Sequence, residues 1–344
     1  MRGLTLPLIA GGVACLFSAG SSNATPTEIG VEIEDISLSP INILAHPPLL
    51  PHGFTRLLFA DHFALYPPNS PPSPSKWTID LGTSYPSGPA NWGTNEIQTY
   101  TSSPRNIATT AHGTLLITPL KDPVSGNWTS ARIETTPAHD FACAPGSLVR
   151  VQAAIKLGDD APAKQLGIWP AFWMLGSALR GNYWGWPGVG EIDIMEAVNG
   201  VDRVWQTVHC GPSAYGGPCN EWSGVGSRAD GAEMARGRWH VVSVDIDRRN
   251  TDLKREGGGG WEGEKLVWRV DGRVVFSVNG TRVGDEAAWT AVTRTDKFVL
   301  LNVAVGGSFP DYVANEGGVK TPTGETVGGR GSGMEVEYVA VFGT

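Results

Sequence analysis

The sequence predicts an all-β fold, two antiparallel sheets packed as a sandwich, and three observations predict it. Apolar segments of strand length recur with turn residues between them: HGTLLITPL, SLVRVQAAIKL, EIDIMEAV, RVWQTVHC, WHVVSVDID, KLVWRVDGRVVFSV, KFVLLNVAV and MEVEYVAVF. Helical periodicity is nearly absent, reduced to a short turn near Asp285–Trp289. The chain holds 45 Gly and 25 Pro, the residues that many tight connections between short strands require.

Taken in order, the first 24 residues read as a secretory leader. Arg2 precedes an uncharged apolar run, Leu4 to Phe17, and Ser22-Asn23-Ala24 offers a cleavage site. The run is shorter than the roughly 20 residues a membrane span needs. Residues 25–53 lack a period and end in AHPPLLPHG, an extension ahead of the domain. YPPNSPPSPS (66–75) is a Pro/Ser-rich loop too short to divide domains, so residues 54–344 form one β domain. Asp271-Gly272, between two β-rich arms, marks a hairpin turn. The glycines of KREGGGGWEGEK (254–265) do not open a helix with a Gly-Lys-Ser/Thr ending, so they do not cradle phosphate.

Loss of the leader takes the formal charge from −8 to −9, because Arg2 leaves and no acid does. An acidic chain without a Lys/Arg cluster excludes nucleic acid and anionic membrane as partners. Charged residues are 17%, below the roughly 25% of average soluble chains, while 13 Trp supply aromatic surface. Cys15 leaves with the leader. Of the remaining three cysteines, three pairings are possible; Cys210 and Cys219 close CGPSAYGGPC, whose Gly and Pro permit a tight bridge, with Cys143 free. Asn127-Trp-Thr and Asn279-Gly-Thr are N-glycosylation sequons.

GEIDIMEAVNG (190–200) departs from the pattern. It places Glu191, Asp193 and Glu196 in an otherwise apolar strand, where acids are depleted. Alternation puts Glu191 and Asp193 on one face and sends Glu196 to the other. One extra residue at Ile194 or Met195, a β-bulge, returns Glu196 to the shared face. Four effective steps separate the glutamates by about 13 Å along the strand. Side chains leaning together reduce that toward the roughly 5–5.5 Å at which retaining glycosidases set their carboxyl pair. Crowded carboxylates cannot all ionise, so one keeps its proton, which is the acid/base division that glycoside hydrolysis needs. A solvated strand face and a Ca²⁺ site are the competing readings. Trp169, Trp173, Trp184 and Trp186 lie just upstream in GIWPAFWMLGSALRGNYWGWPGVG, and indole faces are what sugar rings stack on.

These motifs together resemble glycoside hydrolase family 16, in its laminarinase-like branch with the extra bulge residue, over roughly residues 54–344. LLFADHF, WGTNEIQTYT, SARIETT, WPAFWML, EIDIME, TVHCG…GGPCNE, FVLLNVAVGG and MEVEYVAVF carry the likeness. The resemblance implies a bent β-jelly-roll with a concave substrate cleft, and hydrolysis with retention of configuration. It implies Glu191 as nucleophile, Glu196 as general acid/base and Asp193 as the residue that orients and tunes the nucleophile. It also implies Asn95, Glu96, Arg132, Trp173, Trp186, His209 and Asn302 as sugar contacts. Each has a plainer alternative: Arg132 paired with Glu134, Glu96 a solvated partner, His209 a satisfied core histidine. In regions associated with a structural Ca²⁺ in some members, His62 stands where many have an acid and Glu337 where the final strand often has Asp, so neither a metal nor any cofactor is expected. The expectation is a secreted or cell-wall-associated monomeric endo-β-glucanase acting on β-1,3 or mixed β-1,3/1,4 glucan. β-Galactan or agar hydrolysis, transglycosylation and non-catalytic glucan binding are the alternatives.

Overall fold

The computed structural model describes residues 49–227, 231–249, 260–314 and 318–344. All belong to one compact unit, Ile41–Thr344. The expected leader, most of the 25–53 extension and residues 254–259 of the Gly-rich segment lie outside the described residues.

Two large antiparallel sheets form the body. The first runs in the order Arg273–Asn279, Lys265–Val270, Trp239–Asp247, Leu148–Leu157, Met334–Gly343, Leu115–Ile117 and Ile107–Thr109, with Arg56–Asp61 added against Met334–Gly343. The second runs Val225–Gly226, Arg203–His209, Glu191–Glu196, Ile168–Gly176, Lys297–Val305, Arg132–Thr135 and Trp77–Asp80. A small three-stranded sheet stands apart. Alternation gives each sheet an apolar inner face. Phe172, Met174, Ile192, Val208, Leu301 and Val303 of the second sheet share one buried cluster with Val151, Ala153, Ile155, Val244, Trp268 and Val341 of the first. Each such side chain contributes about 1.5–3 kcal/mol by leaving water.

Lys297–Val305 is buried at every position, because it lies mid-sheet and is covered on both faces. Its outer side carries a second apolar cluster, Leu175, Leu179, Phe298 and Leu300, roofed by Tyr85, Trp173, Tyr183, Trp186 and Val189. The roof fixes the aromatic loops above the second sheet, where the site lies.

The Asp271-Gly272 hairpin forms as expected: Val270 pairs with Arg273, and both turn residues take left-handed φ, 50° and 76°. The expected short turn at Asp285–Trp289 is instead a helix, Glu286–Thr293, and two further short helices occupy Gly280–Val283 and Ser308–Ala314. Asp285 caps the first by accepting the Ala288 N–H at 2.8 Å. Trp289 is fully buried and donates its Nε1–H to Glu264. Eight residues hold little more than two helical turns, too few for a periodic pattern to emerge.

Candidate active site

The bulge is present. Against Ile168–Gly176, Glu191 pairs with Leu175 and Asp193 with Trp173, and then the register slips so that Glu196 pairs with Ala171. Against Arg203–His209, three steps from Asp193 to Glu196 match two from Thr207 to Trp205. Ile194 and Met195 therefore both enter the core, and the three acids share the outer face.

Register also explains which neighbours they meet. One cross-strand row runs Asp80, Arg132, Asn302, Ala171, Glu196, Trp205. The next runs Glu134, Leu300, Trp173, Asp193, Thr207, and the last runs Phe298, Leu175, Glu191, His209. Residues from six strands thus meet because directly opposed side chains on one sheet face are adjacent.

Each glutamate receives an indole N–H. Trp169 Nε1 donates to Glu196 Oε1 at 2.9 Å, and Trp186 Nε1 donates to Glu191 Oε2 at 3.1 Å. Asp193 lies deeper, and its Oδ2 is buried without a hydrogen-bond partner. His209 closes the group: Nε2 is 3.5 Å from Asp193 Oδ2 and 4.0 Å from Glu191 Oε1. Nδ1 is 2.7 Å from Glu221 Oε2, while Glu221 Oε1 accepts the Cys210 N–H at 2.8 Å. One side-chain N or O atom from each of Glu191, Asp193 and His209 lies within 4.8 Å of the others, so charge crowding adds to burial in setting their titrations.

Burial raises the Glu196 carboxyl to about 7; Glu191 adds to the rise, while His209 and the Trp169 bond oppose it. Burial also raises Glu191, and here His209 leads the opposing contributions. Asp193 is pushed well above the carboxylate range by burial, then by Glu196, Glu191 and Glu221. For His209, burial favours the neutral ring, but the bond to Glu221 and the charges of Glu191, Glu221 and Glu196 outweigh it and raise the imidazole. Burial and mutual repulsion thus favour a retained proton on Glu196 up to about 7, which is what proton transfer to a leaving group requires.

The other expected sugar contacts divide. Trp173, Trp186 and His209 meet the acids. Asn302 accepts the Trp173 indole N–H at 2.8 Å and donates to the Tyr100 hydroxyl at 3.1 Å. Glu96 lies behind it, buried, with Oε1 accepting from Thr94 and Oε2 from Gln98 and Tyr100. It is not a solvated partner of Arg132. Asn95 is exposed and donates to Ser308 Oγ at 3.3 Å. Arg132 is 4% exposed. It pairs with Asp80 at 3.0 Å rather than with Glu134, donates to the Tyr85 hydroxyl and is enclosed by the rings of Tyr85, Trp92 and Trp173. Trp184 lies apart, exposed, its indole bonded to the Ser87 carbonyl. Cys210 and Cys219 are disulfide-bonded with Cα atoms 5.3 Å apart, and Cys143 is a buried free thiol. Asn127 and Asn279 are both exposed. Cavities of about 270 Å³ beside Lys156 and Glu335 and about 290 Å³ beside Asp202 and Met234 lie away from the acids.

Sequence reasoning missed Glu221 as the partner of His209, Trp169 as the partner of Glu196, and the Tyr100 hydroxyl between Glu96 and Asn302. It also missed the edge-on stack of Trp169 and Trp205 on Phe309 beside Glu196. Glu221 sits in the quoted GGPCNE, but only a contact across the disulfide loop reveals its partner.

Known proteins resemble this chain in sequence and fold. The family model of the XgeA-like catalytic GH16 domain matches residues 158–229, the segment that carries the acids, the tryptophans, His209 and Glu221. The crystal structure of an endo-1,3-β-glucanase from Streptomyces sioyaensis is 41% identical, with a TM-score of 0.75, covering 86% of this chain and 98% of that one. The chain belongs to glycoside hydrolase family 16, whose β-jelly-roll fold the two sheets build. Within the family its likeness runs to β-glucanases. The β-glucanase of Rhodothermus marinus is 29% identical over 69% of this chain and 72% of its own length. Glucan endo-1,3-β-glucosidase A1 of Niallia circulans is 30% identical over 51% of this chain, a match that spans 22% of that longer protein.

Proposed function

We propose that the chain is a secreted, retaining endo-β-1,3-glucanase working by double displacement. The observation that supports this most is the bulged strand, which sets Glu191, Asp193 and Glu196 on one face with an indole N–H on each glutamate. Glu191 Oε1 attacks the anomeric carbon, since Trp186 occupies Oε2. The glycosidic C–O bond breaks as its oxygen takes the Glu196 proton, leaving a glycosyl ester on Glu191. Glu196, now a carboxylate, removes a proton from water; the water oxygen attacks the same carbon and frees Glu191. Two inversions give retention. Asp193 lies between the glutamates on the strand, orients Glu191 and electrostatically tunes it. Trp173, Trp186 and His209 contact sugar directly, Asn95 and Asn302 border the glucan, and Arg132 and Glu96 hold the rings and amide that meet it. The domain spans residues 54–344, acts as a monomer without a metal or cofactor, and follows a cleaved leader, residues 1–24. Asn127 and Asn279 are open to glycosylation.

Glu191→Gln and Glu196→Gln each abolish hydrolysis of laminarin, by about 10³-fold or more, while laminari-oligosaccharide binding persists. Azide added to Glu191→Ala yields an α-glycosyl azide, and added to Glu196→Ala a β-glycosyl azide; exchanged products would reverse the two roles. A panel of laminarin, lichenan, curdlan, agarose and arabinogalactan, with the first-formed anomer read by NMR, tests substrate and stereochemistry. A first-formed α anomer would rule out retention, and cleavage of the galactans alone would replace β-glucan as substrate.

A further inference from the structure

We propose that Glu221 is a positioning residue for this reaction: it fixes the His209 ring by its Nδ1–H, so that Nε2 faces Asp193 and Glu191 and a second proton must lie there. The proposal rests on the functional reading above and adds a member that lies off the acidic strand.

The geometry requires it. Glu221 Oε1 accepts the Cys210 N–H at 2.8 Å, and Oε2 lies 2.7 Å from His209 Nδ1. A carboxylate only accepts, so Nδ1 carries hydrogen. Neutral imidazole has one N–H, which would leave Nε2 a bare lone pair facing Asp193 Oδ2 at 3.5 Å and Glu191 Oε1 at 4.0 Å. Two lone pairs at that distance repel unless a proton lies between them, on the ring or on Asp193. By holding Nδ1, Glu221 confines the exchangeable proton to the side where the chemistry occurs. The groups facing the ring are Glu191, Asp193 and Glu196 from the acidic strand and Glu221 from the loop, with the Trp186 ring 5.5 Å away. His209 is in ion-pair contact with Glu191, Asp193 and Glu221 alike.

The loop is built to keep Glu221 there. The Cys210–Cys219 bridge closes it beside Glu221, and Gly216 pairs with Glu221 as a β-bridge. The Glu221 side chain is fully buried. Gly224, at φ +70°, returns so close to the ring that an added Cβ would lie 2.9 Å from His209 Cε1, a separation only glycine permits. A third group that orients a catalytic ring through its remote nitrogen is a recurrent way of fixing where a proton sits.

The test is ¹⁵N NMR of the histidine side chains in the free protein, with His209→Asn assigning the resonance, in wild type and Glu221→Gln. In wild type, Nδ1 of His209 stays protonated throughout the titration. In Glu221→Gln the His209 pKa falls by about one unit or more. With laminarin, kcat falls about tenfold or more while KM stays within about threefold. A bare Nδ1 in wild type overturns the proposal, and that measurement stands even where the variant does not fold. An unmoved titration in a folded variant also overturns it, leaving Glu221 as loop scaffold whatever happens to kcat. Because the titration is read without glucan, a protein that shows it yet cleaves no glycan refutes the hydrolase reading alone.

Discussion

Indole N–H groups meet the two glutamates, and this bears on how the site responds to pH. The Trp169 bond stabilises ionised Glu196 and opposes the burial that raises this carboxyl to about 7. In the proposed mechanism Glu196 donates a proton in the first step, so its protonated form is the active one. The kcat/KM for laminarin is therefore expected to decline as pH rises through about 7. Trp169→Phe removes the bond, raises the Glu196 pKa further and moves this alkaline limb upward by about half a unit to one unit. A limb that stays in place or moves down would break the assignment of Glu196 as the acid. That the three acids share a face was legible once a bulge was admitted, since strict alternation cannot place 191, 193 and 196 together. The setting of Arg132 was not legible, because Asp80, Tyr85 and Trp92 lie some 40 to 52 residues upstream and no local pattern announces them.

The bulge shows why some elements could be read and others could not. Its signal is local: two consecutive core residues, Ile194 and Met195, between acids of known spacing. Deleting Met195 removes the bulge and restores unbroken alternation, which leaves Glu196 on the outer face opposite Ala171. Laminarin hydrolysis should then stay within about tenfold of wild type, while loss of the fully buried Met195 side chain should cost about 2–5 kcal/mol, read as a lower urea midpoint. A folded variant that loses activity by about 10³-fold would show that the bulge itself, beyond alternation, aims Glu196. The helix Glu286–Thr293 is the opposite case. It is held through Trp289 and Arg294 on the buried Glu264, which also pairs with Arg248. Those partners lie 16 to 30 residues from Glu264, so tertiary contacts rather than periodicity stabilise the helix.

For the whole molecule, two antiparallel sheets over one core were legible because short alternating runs admit few other packings. Strand order was not, since it depends on pairings such as Met334–Gly343 with Arg56–Asp61, nearly the full described length apart. The chain is acidic, at −8, whereas the proposed glucan is neutral, so binding releases no counterions and gains nothing from long-range steering. KM for laminarin should change less than about twofold between 0.05 and 0.5 M NaCl; a steep salt dependence would point to a charged polysaccharide instead. No helix among the described residues is long and apolar enough to cross a membrane.

Cys143 carries a practical consequence. Its thiol is 1% exposed, faces the Ile246 carbonyl at 3.3 Å and is pushed by burial up to about 11. A maleimide or similar alkylator needs both access and thiolate, and the native sandwich denies it each. Modification must wait until the sheets part. The protein thus comes with an intrinsic clock for its own opening, and counting alkylated molecules over time would follow that event without any introduced label.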